Sequence, residues 1–418
     1  MMNEIIKERL ALIQSGTVPK GYKKTKCGIY PENWTLTCMG NCIREYREIS
    51  NNIQDIPVYS SSRNGLLPQS EYYDGKEATQ TNIGYKVVPP NYLTYRHMSD
   101  DDVFHFNMNQ TGGNILVSSE YPVFTVSDIA ELGFILPMLN NAPRFKYFCG
   151  MQKLGGTRSR LYFKKLCEYQ FYIPPRAEQK KIAEILSCCD RVIELKQQLI
   201  VELQRLKSGF LQAMFPAKGH SEPDIRFPEF SDAWEQRKLG EYVSITSGEA
   251  PSKFEEGTEL YVKVDDLNYN DKYVVDTQNK VAEHSTVKRV TKGSVVFPKR
   301  GAAIITNKVR ILGIDSYMDT NMMALTSERL DPEFLYNIIS KEGLYKIADT
   351  STIPQINNKH IEPYEVKIPS LDEQRRIGVY FKQLDHLITL HQRELEETKK
   401  KKKSLAKLLL TGSVRVPT

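Results

Sequence analysis

The chain repeats one segment of its own sequence, and this repeat constrains the fold more than any other feature. Residues 173–182 (IPPRAEQKKI) return as residues 368–377 (IPSLDEQRRI), at an offset of 195 residues, which is the difference between Glu178 and Glu373. At the same offset Asp190 falls on Asp385. An internal repeat of this kind indicates that the architecture itself is duplicated.

Each copy continues into a long amphipathic segment. Apolar residues recur in steps of three and four, which predicts one face of a helix close to a heptad seam. Prolines at the start suit a first helical turn, where a missing N–H costs little. At about 1.5 Å per residue, a helix from Glu178 to Met214 would be roughly 55 Å long. The predicted seam residues are Ile182, Leu186, Ile193, Leu199, Leu203 and Phe210, then Ile377, Phe381, Leu384, Ile388, Leu395 and Leu405.

Two such helices would bury their apolar stripes most simply against each other. Each is preceded by a globular stretch of similar length, so a parallel pair would crowd both globules at one end. We therefore expect an antiparallel pair, with one globule at each end and an approximate two-fold relation. The middle of the second helix is more polar, with Glu394, Thr398 and Lys401 where the first has leucines. The alternative is two unrelated core helices of two ordinary domains.

Composition sets wider bounds. A chain of 418 residues, 40% hydrophobic and 26% charged, predicts two to four folded units of a soluble protein. It has no apolar run long enough to span a membrane, and the seven cysteines form no convincing zinc or disulfide pattern. We expect a cytoplasmic protein without a membrane partner. The net charge of +6 permits a polyanionic partner without requiring one.

The repeat extends to the start of each globule. Trp34 is followed six residues later by Gly40, and Trp234 by Gly240, while the turn-rich stretch 216–228 separates the halves. The predicted fold class is α+β, with two mixed α/β domains and the antiparallel helix pair. The predicted boundaries are 1–27 for an N-terminal helical brace, 28–173 and 218–368 for the two domains, and 174–217 and 369–418 for the helices.

Secondary structure within the globules follows from short β-rich runs and a few helical periods. Predicted strands are 85–88, 121–126, 260–264, 293–297 and 303–306, and predicted helices are 4–15, 128–140 and 331–347. The exits match again, because Thr157 corresponds to Thr352 and Leu161 to Ile356. Between entrance and exit the two globules diverge, which suits two readers of different targets.

Taken together, these motifs resemble the specificity subunit of type I restriction–modification systems, over nearly the whole chain. The resemblance rests on the Trp…Gly entrances, the Thr…Leu and Thr…Ile exits, and the two Pro-x-x-x-Glu-Gln-(Lys/Arg)-(Lys/Arg)-Ile helix starts. It implies two target recognition domains that each read one half of a split double-stranded DNA sequence, at a spacing fixed by the helices. It also implies two docked modification (methyltransferase) subunits, with restriction (ATP-dependent translocase and nuclease) subunits joining for cleavage.

The same resemblance implies that this chain is not catalytic and binds no cofactor or metal. S-adenosylmethionine, ATP and magnesium would then act in the partner subunits. The sequence agrees, since Val88-Pro89-Pro90-Asn91-Tyr92 lacks the polar residue and spacing of an amino-methyltransferase loop. Neither a phosphate-binding loop nor a nuclease motif is complete. The alternative function is a stand-alone DNA-modifying enzyme, a nuclease or methyltransferase.

Residues that read bases must be polar, loop-borne and close to basic side chains that contact phosphates. In the first domain the candidates are Ser61, Arg63, Asn64, Tyr95, Arg96, His97, Gly156, Thr157, Arg158, Ser159 and Arg160. In the second they are Lys263, Asp265, Lys299, Arg300, Thr350, Ser351, Thr352, Gln355, Asn357 and Lys359. Each could instead be an ordinary surface residue. The five lysines at 399–403 form either a solvated helix face or a contact with a partner subunit or phosphate backbone.

Overall fold

The computed structural model describes residues 4–50, 56–72, 84–153, 158–217, 219–269, 271–349 and 353–416. The chain divides into two compact units, residues 1–196 with 394–418 and residues 197–393. Each unit contains one mixed α/β domain and part of each long helix. None of the helices in the described ranges combines the length and apolarity that a membrane crossing requires.

The first unit opens with a helix and continues into short strands and helices that end at the first long helix. Its elements are α1 (Glu4–Ser15), β1 (Tyr22–Thr25), β2 (Gly28–Pro31), β3 (Thr35–Cys38), α2 (Met39–Cys42), β4 (Ile43–Tyr46), β5 (Tyr59–Ser62), β6 (Gly65–Pro68), α3 (Gln69–Tyr72), β7 (Lys86–Val88), β8 (Leu93–Tyr95), β9 (Met98–Ser99), β10 (Phe106–Met108), β11 (Ile115–Val117), β12 (Val123–Val126), α4 (Leu132–Asn141), α5 (Pro143–Gly150), β13 (Ser159–Arg160), α6 (Phe163–Glu168), β14 (Gln170–Ile173) and α7 (Arg176–Ala213). The predicted helix at 4–15 is present, and it buries none of its side chains.

A four-stranded antiparallel sheet in the order β10–β8–β12–β4 forms the centre of the first domain. Its apolar residues pack with α4 and with the start of α7 in one core that includes Trp34, Phe124, Phe134 and Ile182. β3 and β14 pair separately, so the strand that follows Trp34 lies beside the strand that leads into α7.

The second unit repeats this plan with different additions. Its elements are β15 (Glu235–Lys238), β16 (Ser244–Ser247), β17 (Glu259–Val262), α8 (Asp266–Tyr269), β18 (Tyr273–Val274), β19 (Lys280–Val281), β20 (Val295–Pro298), β21 (Arg310–Leu312), β22 (Tyr317–Met318), β23 (Met322–Thr326), α9 (Pro332–Glu342), α10 (Asn358–Ile361), β24 (Glu365–Ile368) and α11 (Leu371–Leu410), with 3-10 helices at Leu239–Glu241, Pro251–Lys253, Ala302–Ile304 and Leu344–Lys346.

The central sheets of the two domains share one connectivity. The order β16–β23–β20–β21 in the second domain corresponds to β4–β12–β8–β10 in the first, and the second sheet then adds β18 as a fifth strand, parallel to β21. The divergence predicted between entrance and exit therefore does not extend to this sheet. It lies in the additions, a β5–β6 hairpin in the first domain and a three-stranded β19–β17–β22 sheet in the second.

One predicted strand, 303–306, is wrong. Residues Ala302–Ile304 form a 3-10 turn, because Gly301 at φ +81° and Asn307 at φ +48° bend the backbone on either side of this short run. Ile304 is buried in the core, whereas Ile305 remains exposed. A run of four apolar or β-branched residues is too short for periodicity to distinguish a strand from a turn.

Both long helices are present and run antiparallel within each unit. In the first unit Lys196 Nζ lies 2.7 Å from Glu394 Oε2, and Lys402 bonds to Asp190. In the second unit Lys207 Nζ lies 2.6 Å from Asp385 Oδ1. Later positions on α7 thus meet earlier positions on α11, as expected for an antiparallel pair.

The seam between the helices is a heptad pattern that includes charged residues. Its predicted members Ile182, Leu186, Ile377, Phe381, Ile388 and Leu395 are buried, and Ile193, Leu203, Phe210, Leu384 and Leu405 are half-buried. The assignment of Leu199 to the seam is wrong. Its side chain is 42% exposed, while the neighbouring Ile200 is 7% exposed. The seam positions in this part of α7 are Ile193, Lys196 and Ile200. A search for apolar residues alone overlooks Lys196 and therefore selects Leu199 instead of Ile200.

Candidate nucleic-acid interface

A buried carboxylate joins the start of the first long helix to the entrance of the first domain. Glu178, fully buried on the first turn of α7, accepts a hydrogen bond from the Trp34 indole N–H at 3.1 Å. The Arg415 guanidinium donates two more bonds, from Nε at 2.6 Å and from Nη2 at 2.9 Å. The charge of Glu178 is therefore paired and its oxygens are satisfied, as burial of a carboxylate requires.

The second unit contains the same arrangement. Glu373, 1% exposed at the start of α11, accepts from the Trp234 indole at 3.2 Å and from Arg226 Nε and Nη2, both at 2.8 Å. Bonding to Glu373 raises the pKa of Arg226. We call each Trp–Glu–Arg group an anchor triad. The triads explain why both helix starts carry glutamate and both entrances carry tryptophan.

The glutamine that follows each of these glutamates fixes a different part of its domain. Gln179 accepts a bond from the Glu131 amide at 2.9 Å and donates to the carbonyl oxygens of Ile129 and Pro174. Gln374 likewise accepts from the Asp331 amide at 3.1 Å and donates to the carbonyl oxygen of Pro369. Each glutamine thus ties its long helix to the loop that begins α4 or α9, so the Glu-Gln pair holds two separate parts of the domain.

Both exit loops are fixed at matching places beside the central sheet. The Leu161 amide donates to the His97 carbonyl oxygen at 2.9 Å, and the Ile356 amide donates to the Lys299 carbonyl oxygen at 2.9 Å. The exit loop of each domain therefore lies against the segment that follows β8 or β20. Two stretches that are far apart in sequence form one polar surface in each domain.

In the first domain this surface is rich in arginine. Arg158 Nε bonds to Asp100 at 2.7 Å, and Arg63 lies 2.7 Å from Asp101. The guanidinium groups are more than half exposed, so the aspartates orient them without burying them. Arg96 and Arg160 form no ion pair with another described residue. Arg63, Asn64 and Arg96 also line one cleft of about 270 Å³.

Four predicted contacts of the first domain lie in its interior instead. Tyr95, His97, Ser61 and Ser159 are each at most 4% exposed. Tyr95 donates to the Leu161 carbonyl oxygen at 2.9 Å, and Ser61 accepts from Asn107 at 2.8 Å. Their polar atoms support the loops from behind, so the prediction that they touch bases is corrected. Gly156 and Thr157 lie outside the described residues.

Burial also affects the charge of His97. Removal from water lowers the pKa of its imidazole, although Glu120, 3.8 Å away, acts in the opposite direction. The ring stacks on Tyr162 at a centroid distance of 5.4 Å. A neutral, stacked imidazole suits a support for the Leu161 backbone better than a contact with phosphate.

In the second domain the corresponding surface contains lysine, arginine and amides. The backbone of Arg300 pairs with that of Gln355 in an isolated antiparallel β-bridge. The side chain of Arg300 is exposed, while Lys299 is half-buried. Gln355 donates to the Asn357 side chain at 3.1 Å, and Asn357 caps the short α10, which exposes Lys359. Five predicted residues are thus brought together. Thr350, Ser351 and Thr352 lie outside the described residues.

The other two candidates of the second domain lie in the turn that follows β17. Lys263 donates to Asn279 at 2.8 Å, and its ammonium group lies 5.9 Å from the Tyr261 ring centroid. Asp265 is exposed, and its carbonyl oxygen accepts a hydrogen bond from the Asn268 amide. These contacts hold Lys263 beside the three-stranded sheet, so we do not include it in the exit-loop surface.

Sequence reasoning missed the arginines of the two anchor triads and the aspartates that orient Arg63 and Arg158. A signal for the arginines was available, because each long helix is followed by an apolar-Arg-apolar-Pro stretch, Ile225–Pro228 and Val414–Pro417. The aspartates, Asp100 and Asp101, stand in an acidic run that offers no repeat to compare. Only the fold shows which arginine they face.

Comparison with known proteins agrees with this duplicated arrangement. The family model of the type I restriction modification DNA specificity domain matches residues 138–205 and 231–400. A type I restriction enzyme MjaX specificity subunit of Methanocaldococcus jannaschii is 24% identical over 433 residues, covering 96% of this chain and 98% of the relative. The MjaVIII specificity subunit of the same organism is 29% identical over 265 residues, 58% of this chain and 62% of the relative.

Two solved structures share the fold. The first is a chain from a structural study of complex assembly and conformational transition of the type I R-M system. It has a TM-score of 0.59 and 16% identity, and the match covers 92% of this chain and 99% of that chain. The other is the S subunit of a type I restriction-modification system from M. genitalium, with a TM-score of 0.54, 16% identity and coverage of 90% and 96%.

Proposed function

The chain belongs to the type I restriction–modification DNA specificity family, and from this premise we propose that each of its two domains reads one half of a split DNA target. The long helices carry both domains and set the gap between the half-sites. The stand-alone enzyme considered from the sequence is set aside, because the relatives are specificity subunits.

The observation that carries this proposal is the repeated anchorage beneath two different surfaces. Each domain is fixed to a long helix by the same anchor triad and glutamine contacts. In each domain the exit loop binds the segment that follows the corresponding strand of the central sheet, β8 in the first domain and β20 in the second. The exposed side chains there differ between the domains, which is what two readers of unlike half-sites require.

The proposed DNA-binding surface of the first domain consists of the half-buried Arg96 and the exposed Arg63, Asn64, Arg158 and Arg160. That of the second domain is Lys299, Arg300, Gln355, Asn357 and Lys359. Arginine suits a bidentate contact with guanine, and glutamine and asparagine suit one with adenine. Lysines serve the phosphates, which position the protein without specifying sequence.

We place the remaining functions of the complex in partner subunits. Two modification subunits would dock on this chain and bring S-adenosylmethionine, and restriction subunits would bring ATP and magnesium. The recognition domains would span 28–173 and 218–368, and the complex would act in the cytoplasm. Reconstitution with the modification subunits, followed by measurement of the subunit ratio, tests this composition.

The DNA-reading proposal is tested with one arginine from each domain. Arg160→Ala and Arg300→Ala are each introduced into the chain, which is assembled with its modification subunits, and methylation is mapped over a library of DNA targets. Loss of a base-reading arginine costs about 1–3 kcal/mol, which corresponds to a loss of methylation at the cognate target of about fivefold to 150-fold. Arg160→Ala should relax one half of the recognised sequence, and Arg300→Ala the other half.

Arg191→Ala provides the matched control, because Arg191 is an exposed helix residue paired only to its neighbour Glu194 among the described residues. It should leave the target profile unchanged. Relaxation of the same half-site by both test variants would contradict a division of labour between the domains. Unchanged methylation in both would remove the exit-loop surfaces from the proposed interface.

A further inference from the structure

A nearly buried ion network joins the second domain to the long helices. Lys272 Nζ lies 2.5 Å from Glu333 Oε2 and 2.7 Å from Asp385 Oδ2, and its side chain is 9% exposed. Asp385 on α11 also pairs with Lys207 on α7 through its other oxygen, at 2.6 Å. Lys272 thus contacts α9 and α11 directly. It is linked to α7 through the carboxylate of Asp385, which also binds Lys207.

The environment of Lys272 keeps it charged. Burial alone would lower the pKa of Lys272, but the carboxylates of Asp385 and Glu333 outweigh burial and raise it. The ammonium group also lies 4.3 Å from the centroid of the Tyr336 ring, which suits a cation. Every group that faces Lys272 therefore favours one position for the ammonium.

The residues on either side of Lys272 contact the same helix. Asp271 lies 3.4 Å from Arg393, and the ring of Tyr273 lies below Lys382 at 5.4 Å, while the Tyr273 hydroxyl bonds to Glu333. We call Asp271–Tyr273 the strap. Three consecutive residues thus contact α11 at three positions, and because the Asp271–Arg393 pair is exposed, the restraint rests on Lys272 and Tyr273.

The strap leads into β18, which has no counterpart in the central sheet formed by the described residues of the first domain. The first unit has the counterpart of only one network contact, because Lys402 and Asp190 correspond by the repeat to Lys207 and Asp385. Asp190 is 60% exposed there, and among the described residues no side chain of the first domain joins that pair. The additional strand therefore brings the second domain an attachment that the described part of the first domain does not contain.

We propose that Lys272 is a positioning residue, which fixes the orientation of the second domain on the helices and makes the complex reject targets with the wrong gap between half-sites. This inference rests on the proposed function. Adding one base pair to the gap displaces a half-site by about 3.4 Å and rotates it by roughly 34°. To reject a target with one added base pair, the second domain must rotate on the long helices by less than this roughly 34°.

The charge-assisted hydrogen bond from Lys272 to Asp385 is directional, and the close, nearly buried ion pair with Glu333 adds to it, so together they supply such a restraint. An exposed ion pair does not, because it is weak and its long side chains adapt to different geometries. The anchor triad and Gln374 hold the domain near the start of α11, and Lys272 adds an attachment at Asp385, farther along the same helix. Two separated attachments prevent rotation about a single one.

The test compares Lys272→Met with the wild type in the complex with the modification subunits. Methylation rates are measured on DNA targets whose half-sites are constant and whose gap varies by one base pair in each direction. Wild type should prefer the cognate gap by roughly tenfold or more, as for a mismatched site. Lys272→Met should reduce that preference at least about threefold, with less change on the cognate target.

Matched variants separate positioning from folding. Lys272→Arg keeps the charge and should restore most of the gap preference, whereas Lys402→Met removes the ion pair of the first unit and should not alter it. Glu333→Gln removes one charge from the network and should relax the preference in the same direction as Lys272→Met, which keeps the test decisive even when the methionine variant folds poorly.

The outcomes are distinguishable. An unchanged ratio of cognate to altered gap in both Lys272→Met and Glu333→Gln overturns the positioning role, as does a uniform loss of rate on every gap. A wild-type complex that ignores gap length altogether contradicts the proposed function itself rather than the role of Lys272.

Discussion

The two units have the same supports and different attachments. Both contain an anchor triad, a glutamine contact and a four-stranded sheet of one connectivity, although few residues between entrance and exit are shared. Among the described residues, a fifth strand and a nearly buried lysine network are found in the second unit and not in the first. The repeated residues are therefore those that hold a domain in place, and the variable ones include those that face outward or add a restraint.

The largest effect should come from removing the buried carboxylates. Glu178→Ala and Glu373→Ala each leave an arginine and an indole without their acceptor, and breaking a buried pair in this way costs about 3–5 kcal/mol. Each substitution should destabilise its own unit by a similar amount. Hydrogen exchange of the full chain, read separately for the two units, measures this.

The control for this pair is the isosteric Glu→Gln change at each position, which keeps an acceptor for the indole and should cost less. If Glu373→Ala greatly accelerates exchange in its unit while Glu178→Ala leaves its own unit unaffected, the two triads are not equivalent supports.

A smaller effect is expected in the helix seam, at one of the repeat positions where α7 has a leucine and α11 has a polar residue. Leu203 and Thr398 correspond to each other and both are half-buried. Leu203→Asp should cost roughly 2–3 kcal/mol, because a charge enters an apolar contact. Thr398→Asp should cost less than about 1 kcal/mol, since that position is already polar.

Thermal unfolding of the chain measures both seam variants. Near-wild-type stability of Leu203→Asp would argue against helices that bury their stripes on each other. An equal loss in the two variants would show that the polar middle of α11 is as tightly packed as that of α7.

The smallest effect separates the two entrance glycines. A Cβ on Gly240 would lie 2.8 Å from the Glu362 Cα, whereas one on Gly40 would lie 3.1 Å from the Cys167 Cβ. Gly240→Ala should therefore cost about 2 kcal/mol and Gly40→Ala about 1 kcal/mol, because backbone yields less readily than a side chain. Chemical denaturation monitored by exchange in each unit gives the order, and a reversed order would contradict this account of the repeated glycine.

The sequence predicted what repetition reveals. Glu178 and Glu373 identified the helix starts, Trp34 and Trp234 the domain entrances, and Leu161 and Ile356 the exits. It could not show that the glutamates bond to the tryptophans, because those contacts join residues 144 and 139 positions apart and have no local pattern.

The candidate contacts were predicted less well, for a physical reason. Polar side chains in loops form hydrogen bonds either with a ligand or with groups of their own domain, and residue type does not distinguish the two cases. Tyr95 and Ser61 form hydrogen bonds inside the domain, whereas Arg158 and Arg160 are exposed. Lys272 gave no signal, because its partners Glu333 and Asp385 lie on two different helices.

If the chain holds two independent readers on a duplicated support, one reader can be exchanged without affecting the other. Residues 34–161 are replaced by those of a relative with a different target, the chain is assembled with its modification subunits, and methylated positions are mapped across a genome. One half of the recognised sequence should change, while the other half and the gap stay as before. A change in both halves would contradict the account.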